Sequence, residues 1–496
     1  MKIAIIYPKT TSEIFSEYYY LPKLLSFSGI HNTQYSPLLM MPAALPTIAA
    51  LTPKEHDVRL LDENIESIDF DEPYDIVGVS FYSLLASRGY EIADEFRRRG
   101  VYVVIGGVHA SVAPDEVQQH ADTVVIGEAE ETWPQFLKDF QNNNVQKVYR
   151  TETKPDLKKL VIPRWDKIPH KHYLTHCIQT TRGCPFNCDF CSVSQIFGKQ
   201  RFKPVDHVVK EIEALKRQVK RPWPLWISFS DDNIVASRKR AKELFRALIP
   251  LKIKWWSQAS INISEDEELL SLAQASGCDS LLIGFESLSQ KGQEEINKGQ
   301  LNKVAEFKTA VQTIQKYGIS LYPSFIFGLD ADDSSVFKKT FEFIQETGME
   351  YPLIGTLTPW MGTRLYDRLK EEGRLFDVPW HRLNSYEVYF TPKNMTSKEL
   401  IKGHRETIKK LYTFESIFER VDTAYANGGL KTKNNNNLLL KLMITVVFLK
   451  ELMLGDRDIK KYLIKALKYM WGKKDFKFES LLFLLDRLVF ARKLTA

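Results

Sequence analysis

Four of the chain's five cysteines lie within fifteen residues of one another, and three of them have a spacing that can support chemistry. Cys184, Cys188 and Cys191 follow the pattern C-x3-C-x2-C in the stretch QTTRGCPFNCDFCSV, directly after a predicted strand. Three thiolates on one loop can hold an iron–sulfur cluster and leave one iron atom open to a substrate or cofactor. The alternative is a closed zinc site with four N or S ligands. Its fourth ligand would be His172, His176 or Cys177.

The loop around these cysteines resembles the signature of the radical S-adenosylmethionine superfamily, because TRGCP leads into it and the aromatic Phe190 stands before the third cysteine. The resemblance covers about residues 170–370. It implies a 4Fe-4S cluster on the three cysteines, with the open iron chelated by the amino and carboxyl groups of S-adenosylmethionine and with Phe190 near the adenine. Reductive cleavage of S-adenosylmethionine would then yield methionine and a 5′-deoxyadenosyl radical.

A short polar motif follows the second predicted barrel strand, in the stretch ISFSDDN. The resemblance implies that this motif holds the methionine amino group, for which carboxylate and carbonyl oxygens are suitable acceptors. The motif is rich in Asp here, where Gly-Gly-Glu is common. The alternative is that these residues cap the next helix. They are Ser230, Asp231, Asp232 and Asn233.

Two further polar residues, Gln258 in WWSQAS and Glu286 in IGFES, stand at the ends of predicted strands. Barrel enzymes keep their sites at the carboxyl ends of the strands. We therefore predict that both side chains contact S-adenosylmethionine or the substrate. The alternative is ordinary hydrogen bonding at the barrel rim.

Strand-like and helical runs alternate from Cys177 to about residue 360. The strand-like runs are CIQTTRG, LWISFSDDN, IKWWSQAS, SLLIGFES, LYPSFIFGLD and YPLIGTLTP. Repeated strand–helix units without hairpins imply a parallel sheet, closed or partly closed into a barrel. We predict a partial (β/α) barrel as the radical core, over residues 170–395.

Residues 1–141 form another alternating series, with strand-like runs in KIAIIYP, VRLLDEN, DIVGVSFY, VYVVIGG and DTVVIGE. Several of these runs are apolar at consecutive positions, as in parallel strands that helices cover on both faces. The predicted fold is α/β and doubly wound, of the flavodoxin-like or Rossmann-like type. Residues 142–169 are rich in polar residues and Pro and show no sustained periodicity, so we predict a linker there.

The ordered set YP, LxDxN, VGVS, GGxHxSxxPxE and GExE in residues 1–141 is similar to the cobalamin-binding domain that precedes many radical S-adenosylmethionine enzymes. The resemblance implies that cobalamin binds at these strand ends. Small residues there would let a large planar ligand approach the backbone closely. The candidate residues are Ser80, Phe81, Gly106, Gly107, Gly127 and Glu128.

No D-x-H-x-x-G motif follows the first strand, so the sequence lacks the His that ligates cobalt from below in other cobalamin proteins. His109 is an available substitute, but a His at a strand end more often hydrogen-bonds to backbone or solvent. Glu128 and Glu130 are candidates for the domain interface or the cofactor tail, although solvated carboxylates would give the same sequence pattern.

Residues 396–496 are predicted to be helical, and their end is basic: residues 431–496 hold fifteen Lys and Arg against six Asp and Glu. The rest of the chain is slightly acidic, which argues against a dedicated nucleic-acid binder. The run NLLLKLMITVVFLKELML contains charged residues and is not expected to span a membrane. Basic apolar segments such as FESLLFLLDRLVFARKL would suit peripheral membrane contact, with a helical cap on the barrel as the alternative.

The few, clustered cysteines do not form the disulfide framework of a secreted protein. The apolar run in MKIAIIYPKT is too short for the hydrophobic region of a signal peptide. We therefore expect a cytoplasmic protein, with any membrane contact at the inner face.

The segments TLTPWMGTRLYDRLKEEGRLF and YFTPKNMTSKEL resemble the region after the core in the class of cobalamin-dependent radical methylases that includes hopanoid methylases. The resemblance implies methyl transfer to an unactivated carbon of a small-molecule or lipid substrate. One S-adenosylmethionine would methylate reduced cobalamin, a second would be cleaved to remove hydrogen, and the substrate radical would take the methyl group. An external electron donor of the flavodoxin or ferredoxin type would reduce the cluster.

Two other functions stay open at this point. A radical cyclase or rearrangement enzyme could use the same two domains without methyl transfer. A non-catalytic cobalamin or iron–sulfur regulator is the other alternative, but a pure cobalamin sensor would not need three cysteines and an open iron.

Overall fold

Two parallel sheets organise the chain. The computed structural model describes residues 1–9, 43–220, 224–379, 382–431 and 457–473, together with residues 442, 445, 446, 448, 449, 452 and 484. Within these residues the strands form two six-stranded sheets, in which every pairing is parallel, and one two-stranded antiparallel ribbon. The predicted doubly wound domain, partial barrel and helical C-terminal region are confirmed.

The first sheet has the strand order β2-β1-β3-β4-β5-β6. Its strands are β1 (Lys2–Tyr7), β2 (Asp57–Asp62), β3 (Ile76–Ser80), β4 (Tyr102–Gly106), β5 (Thr123–Ile126) and β6 (Val148–Arg150). The order reverses beside β1, and a reversal of this kind leaves a crevice at the carboxyl ends of the strands. The interior residues of β3 and β4 are buried, as expected for strands that helices cover on both faces.

Helices cover this sheet, and their long apolar side chains fill its two cores. They are α1 (Ala44–Leu51), α2 (Ala86–Arg98), α3 (Val108–Val112), α4 (Pro114–Val117) and α5 (Ala129–Gln141). On α2, for example, Ile92, Ala93 and Phe96 are buried, whereas Arg97 and Arg98 of its last turn are not. This spacing is the apolar stripe of an amphipathic helix.

The strand β6 lies inside the segment predicted to be a linker. Val148–Arg150 pairs with β5 and adds an edge strand to the first sheet. Only its central residue, Tyr149, is buried. Three residues with one buried side chain give too short a pattern for a strand to be predicted from periodicity.

The second sheet has the order β14-β13-β12-β11-β10-β7 and forms the partial barrel. Its strands are β7 (Thr175–Ile178), β10 (Trp226–Phe229), β11 (Lys254–Ala259), β12 (Cys278–Glu286), β13 (Ser320–Phe327) and β14 (Leu353–Thr356). The antiparallel ribbon consists of β8 (Thr181–Arg182) and β9 (Arg201–Phe202). It follows β7 directly, so it lies at the mouth of the barrel.

The short helix α6 (Val193–Ile196) contacts α3 of the first domain. The helices that pack on the outside of the second sheet are α7 (Val205–Gln218), α8 (Arg238–Leu248), α9 (Glu267–Ala275), α10 (Gln290–Glu295), α11 (Phe307–Lys316) and α12 (Ser335–Thr347). Trp255 of β11 shows the packing: it is fully buried, with ring centroids 5.6 Å from Phe229 and 5.0 Å from Phe245 on α8. Aromatic pairs at this separation add to the area that they bury.

The C-terminal region packs helices against the last strand of the barrel. The helices are α13 (Arg364–Glu371), α14 (Ser397–Leu411), α15 (Phe414–Asn427) and α16 (Arg457–Gly472). A capping box of Thr396 and Glu399 begins α14. The buried His404 of α14 then bonds through Nε2 to the carbonyl of Ile354 on β14, at 3.0 Å.

Two sequence predictions for the C-terminal region lie largely outside the described residues. These are the apolar run at residues 437–454 and the segment 478–494, of which only isolated positions are described. No helix in the described part of the chain is long and apolar enough to cross a membrane.

Candidate active site between the two sheets

A cavity of about 640 Å³ lies between the carboxyl ends of the first sheet and the mouth of the barrel. Its lining on the first-sheet side includes all six residues predicted for cobalamin: Ser80, Phe81, Gly106, Gly107, Gly127 and Glu128. Its lining on the barrel side includes Cys177, Ser230, Asp232 and Gln258. Predicted binding residues from both domains therefore line one shared space. The predicted residues outside this lining are Cys184, Cys188, Cys191, Phe190, Asp231, Asn233 and Glu286.

Backbone geometry makes the first-sheet side of the cavity. Gly127 follows β5 with φ of 84°, and a Cβ built on it would meet no atom within 4 Å, so its backbone is open to the cavity. Gly107 follows β4 with φ of 98°, and a Cβ there would lie 2.8 Å from the carbonyl oxygen of Phe81. Ser111 joins these two turns, because its hydroxyl accepts from the Gly127 N–H at 2.9 Å and donates to the Gly107 carbonyl at 3.0 Å. This edge fits a large ligand held by shape and backbone contact.

Tyr82 lines the same cavity and was missed by sequence reasoning. Its side chain is 57% exposed, although the residue lies inside the interdomain space. Burial raises its pKa, and the nearby groups of Cys177 and Asp232 act in the same direction. Tyr82 follows β3 and lines the same cavity as Cys177 and Asp232 of the barrel side. Its position directly after Phe81, at a predicted strand end, was the available signal.

His109 does not line the cavity. It is 1% exposed, with Nδ1 3.0 Å from the hydroxyl of Ser83 and Nε2 2.8 Å from the hydroxyl of Tyr90. The Tyr90 hydroxyl in turn donates to Glu116 at 2.9 Å. Burial lowers the pKa of His109. This side chain belongs to a buried network behind the strand ends.

The three cysteines lie between β8 and α6, half-buried on one loop. Gly183 begins the loop with φ of 82°, and a Cβ there would lie 2.5 Å from the carbonyl oxygen of Gly198, so the turn requires glycine. Burial raises the pKa of Cys184 and of Cys191 to about 11. Since cluster ligands are thiolates, binding of the metal must drive their deprotonation.

The donor set fits an iron–sulfur cluster. Among the residues that the structure describes, no three His, Cys, Asp or Glu side chains converge on one point as the ligands of a single ion do. A cluster does not require this, because each thiolate binds a different iron atom. Of the alternative zinc ligands, His176 is buried, and its Nε2 lies 2.9 Å from Nδ1 of His170.

Contacts from the far side of the barrel hold the cysteine loop in place. The N–H of Asp189 donates to the carbonyl of Ile296 at 3.1 Å, and the carbonyl of Asp189 accepts from Leu365 at 2.9 Å. Arg364 also pairs with the Asp189 carboxylate at 2.7 Å. The loop is thus anchored between its second and third cysteines.

The Asp-rich motif divides into a buried half and a cavity half. Asp231 is fully buried and accepts from the N–H of Thr180 at 2.6 Å, from the Thr180 hydroxyl at 2.5 Å and from the N–H of Thr181 at 2.8 Å. Asn233 is also buried and bonds to Ser260. Asp231 therefore fixes the turn that leads into the cysteine loop.

Ser230 and Asp232 are the residues of this motif that line the cavity. Burial raises the pKa of Asp232 to about 6, and the negative charge of Asp231 acts in the same direction, while the N–H of Gly183 opposes the shift. A positive charge beside a buried carboxylate stabilises its ionised form, so Asp232 is suited to bind a cationic group. Gln258 is exposed on the same wall of the cavity.

Glu286 and Lys298 form a second charged group near the cysteines. Glu286 ends β12 with φ of 54° and is 6% exposed, and its carboxylate accepts from Lys298 Nζ at 2.8 Å. Lys298 also donates to the carbonyl of Gly284 at 2.9 Å. Burial raises the pKa of Cys188, and the charge of Lys298 opposes that shift. Phe190 is partly buried and packs against the core, outside the cavity lining.

Glu128 has a second role besides lining the cavity. Its carboxylate pairs with Arg182 of β8 at 2.5 Å and with Arg201 of β9 at 2.5 Å. Glu130 also pairs with Arg182 at 2.5 Å. Both carboxylates therefore lie at the domain interface, and both also line the cavity.

Three family models match the chain. The radical SAM superfamily matches residues 178–344, the B12 binding domain matches residues 35–137, and a domain of unknown function matches residues 363–485. The first two correspond to the barrel and to the first sheet.

Curated relatives share most of the chain's length. Bacteriochlorophyllide d C-12(1)-methyltransferase of Chlorobaculum tepidum is 31% identical over 77% of this chain and 84% of its own length. Bacteriochlorophyllide d C-8(2)-methyltransferase of the same organism is 29% identical over 85% and 93%. Hopanoid C-2 methylase of Rhodopseudomonas palustris is 27% identical over 78% and 74%.

Solved structures show the same fold at low identity. The cobalamin-dependent S-adenosylmethionine radical enzyme OxsB, with aqua-cobalamin and S-adenosylmethionine bound, has a TM-score of 0.65 at 14% identity, covering 99% of this chain and 79% of its own. The radical methyltransferase TsrM from Kitasatospora setae, with cobalamin and a [4Fe-4S] cluster bound, has a TM-score of 0.61 at 15% identity, covering 99% of both chains. The chain therefore belongs to the cobalamin-dependent radical S-adenosylmethionine enzymes, whose cofactors are a 4Fe-4S cluster, S-adenosylmethionine and cobalamin.

Proposed function

We propose that this enzyme transfers a methyl group to an unactivated carbon of a large, mainly apolar small molecule. The observation that carries the proposal is the shared cavity, because it places the predicted cobalamin edge and the barrel mouth against one space. The similarity to three named methyltransferases and methylases, over 77%, 85% and 78% of this chain, supports the reaction type. When bound, the cluster with S-adenosylmethionine supplies a hydrogen-removing radical and cobalamin supplies the methyl group.

On the barrel side, we assign S-adenosylmethionine to Ser230, Asp232 and Gln258. Asp232 presents a carboxylate in a mainly buried position, and the amino group of S-adenosylmethionine would stabilise its ionised form. Asp231 would act indirectly, through its three bonds to Thr180 and Thr181 at the start of the cysteine loop. The three cysteines would hold the cluster.

Glu286 and Phe190 have less direct roles in this proposal. The Glu286 carboxylate is paired with Lys298, which places a cation and an anion together at the end of β12. Such a pair can meet the carboxylate of a methionine or the hydroxyls of a ribose. Phe190 would close the loop against the adenine from its partly buried position.

On the first-sheet side, we assign cobalamin to the backbone edge at Gly106, Gly107 and Gly127, with Ser80 and Phe81 beside it. The open space around Gly127 supports this assignment. Tyr82 extends from the same edge toward Asp232, so it would lie between the two cofactors.

The cavity lining and the named relatives both support an apolar substrate. Apolar side chains form much of the remaining lining: Ile5, Leu160, Val161, Trp165, Ile196 and Trp256. Apolar walls with few polar groups select apolar ligands. The relatives named for bacteriochlorophyllides and hopanoids act on large, mainly apolar molecules. We propose a polycyclic or tetrapyrrole-like substrate of this kind.

We also propose a cytoplasmic enzyme that touches an anionic membrane surface. Among the described C-terminal residues, Trp471 and Ile464 of α16 are about half exposed, and Trp471 Nε1 lies 3.2 Å from the hydroxyl of Thr445. Lysines flank these apolar side chains, a composition that suits a headgroup layer. Further exposed apolar residues nearby are Leu442, Val446 and Leu449. Binding to anionic but not to neutral vesicles, lost at high salt, would support this contact.

The reaction is tested by anaerobic reconstitution with iron, sulfide and cobalamin. The enzyme is then supplied with a flavodoxin or ferredoxin as electron donor, with S-adenosylmethionine that carries a deuterated methyl group, and with a panel of tetrapyrroles and polycyclic lipids. We expect 5′-deoxyadenosine and a product heavier by one labelled methyl group. A cyclised or rearranged product without the label would instead support the second function, and zinc in place of iron would overturn both.

A further inference from the structure

A group of buried ion pairs connects the cobalamin-binding domain to the cysteine loop. Arg182 of β8 lies two residues before Cys184. Its Nη1 is 2.5 Å from one oxygen of Glu128, and its Nη2 is 2.5 Å from Glu130. Both carboxylates follow β5 of the first sheet, so one guanidinium spans the boundary between the domains.

A second arginine joins the same group from the neighbouring strand. Arg201 of β9 pairs with Arg182 in the antiparallel ribbon, and its Nη2 is 2.5 Å from the other oxygen of Glu128. Its Nη1 also donates to the carbonyl of Pro155 at 2.9 Å. Glu128 Oε2 accepts from Arg182 and also from Arg201 Nη1 at 3.2 Å, while Oε1 accepts from Arg201 alone, so the ribbon is held at both of its strands. We call Glu128, Glu130, Arg182 and Arg201 the interdomain clamp.

The clamp is largely buried at the rim of the cavity. The side chains of Glu128, Glu130, Arg182 and Arg201 are 4%, 10%, 12% and 21% exposed. Burial by itself raises the pKa of Glu128. The hydrogen bond from Arg201 and the positive charge of Arg182 outweigh this effect together, so the pKa of Glu128 lies below its usual value. Charged hydrogen bonds in such surroundings are strong and directional, and a bidentate arginine fixes geometry as well as charge.

The position of the clamp in the chain gives it two neighbours. On one side, Glu128 directly follows Gly127, whose backbone is open to the cavity. On the other side, Arg182 leads through Gly183 into Cys184. A shift of the first-sheet edge would therefore be passed to the cysteine loop through two side chains and one residue of backbone.

We propose that Glu128 and Glu130 are positioning residues that set the cysteine loop, through Arg182, at a fixed place against the cobalamin edge. This role rests on the proposed methyl transfer, since its consequence is that a radical formed at the cluster is used for methylation and is not lost. Without the clamp, both cofactors stay bound, but S-adenosylmethionine cleavage and methylation become uncoupled.

The experiment compares the wild-type enzyme with Glu128→Gln/Glu130→Gln, with Arg182→Lys and with Tyr173→Phe. The last variant is the control, because the Tyr173 hydroxyl donates to Asp62 at 2.9 Å in another buried contact between the two domains. Each reconstituted protein is measured for iron, for cobalamin, and for methylated product per 5′-deoxyadenosine. The spectrum of the reduced cluster is also recorded by electron paramagnetic resonance, with and without cobalamin.

We expect the double Gln variant to keep its iron and cobalamin and to form 5′-deoxyadenosine. Its methylated product per 5′-deoxyadenosine should fall at least about tenfold, since a misplacement of about 1 Å can cost about a hundredfold in rate. Arg182→Lys should show an intermediate ratio of methylated product to 5′-deoxyadenosine. It keeps the positive charge but loses the two-pronged guanidinium that binds both carboxylates. Tyr173→Phe should keep the wild-type ratio.

Two outcomes overturn the role of the clamp. One is an unchanged ratio in a double variant that holds both cofactors. The other is a parallel loss of iron, cobalamin and 5′-deoxyadenosine, which is the mark of a merely structural contact. Glu130→Gln, which leaves both arginines on Glu128, is measured alongside as a milder change to the same clamp.

The spectra separate failure of the clamp from failure of the proposed reaction. If the wild type makes no methylated product, the proposed function fails. The clamp still predicts that cobalamin changes the cluster spectrum in the wild type and in Tyr173→Phe but not in the double Gln variant. A cobalamin effect that persists in the double variant would contradict it.

Discussion

The two walls of the cavity are built in different ways. On the first-sheet wall the backbone itself is exposed at the strand ends: Gly107 and Gly127 have positive φ, and one serine hydroxyl joins their turns. The barrel wall carries charged and polar side chains, among them Asp232 beside the buried Asp231, besides apolar ones such as Trp256. A wall of backbone suits a broad ligand that binds by shape, whereas a wall of charges suits a small ionic cofactor.

This difference predicts how each wall fails when it is changed. A side chain added to the backbone wall should block its ligand by volume, with little dependence on pH or salt. Removal of a charge from the barrel wall should lower the affinity of its ligand, because a Coulomb attraction and a hydrogen bond are lost. This effect should depend on pH. The two cofactor sites can therefore be impaired separately, provided that the contacts between them are left in place.

The largest effect is expected from replacing Cys184, Cys188 and Cys191 by Ala. The protein should lose its iron and all 5′-deoxyadenosine formation, because these three thiolates are the predicted ligands of the cluster. Cobalamin should remain, since its predicted wall belongs to the first sheet. Metal counting and absorption spectra measure both. Cys177→Ala is the control, because that buried thiol lies on β7 and should leave the iron content unchanged.

Gly127→Ala should cause the next largest effect, on cobalamin alone. The added Cβ points into open space that the ligand is proposed to fill, so cobalamin affinity should fall about tenfold or more while iron stays bound. The positive φ should also cost about 1–2 kcal/mol in the free energy of unfolding.

Gly100→Ala separates these two consequences of the Gly127 substitution. Gly100 has φ of 79° and equally open surroundings, but it is exposed at the end of α2 and lies outside the cavity lining. We expect the same loss of stability and no change in cobalamin affinity. An equal loss of cobalamin in both variants would show that strain, and not occupation of the cavity, is responsible.

Asp232→Asn should have a moderate effect on the barrel wall. A hydrogen bond to a charged group contributes about 1.5–3 kcal/mol, so S-adenosylmethionine affinity should fall roughly ten- to a hundredfold. In the wild type, the raised pKa of about 6 means that Asp232 is ionised at neutral pH and becomes protonated as the pH falls through that value. Affinity should therefore decline below about pH 6 in the wild type and be nearly flat in the variant.

Ser230→Ala is the matched control for the Asp232 prediction. It removes a neighbouring cavity-lining hydroxyl without changing the charge, so it should keep the pH dependence of the wild type. Equilibrium dialysis of S-adenosylmethionine against the iron-loaded protein measures both variants. If the affinity of Asp232→Asn still declines below about pH 6, a group other than Asp232 is responsible for the pH dependence.

The sequence predicted those parts of the site that depend on local order. Parallel strands bring their carboxyl ends to one edge, so Ser80, Gly106 and Gly127 could be placed together from three separate runs. The cysteine spacing similarly defined one loop without further information. In the Asp-rich motif, however, only the three-dimensional turn decides that Asp232 faces the cavity and Asp231 does not.

Pairs of residues from different elements could not be predicted in this way. Arg182 and Glu128 are 54 positions apart, and their contact depends on how two domains pack. Lys298 stands in a loop after α10, where nothing in the local pattern connects it to Glu286. Periodicity and motif order describe one element at a time, and these contacts are formed between elements.

The smallest effect on the cofactor sites is expected at His109. A substitution there should leave both walls of the cavity unchanged. Its ring nitrogens bond to Ser83 and Tyr90, and its pKa is lowered by burial, so it belongs to the packing behind the first-sheet wall. His109→Gln should lower the free energy of unfolding by about 1–3 kcal/mol, the cost of unpaired buried groups. Ser83→Ala should behave similarly. The spectrum of bound cob(II)alamin should stay that of the wild type in both variants, and a loss of nitrogen hyperfine splitting only in His109→Gln would identify His109 as a cobalt ligand after all.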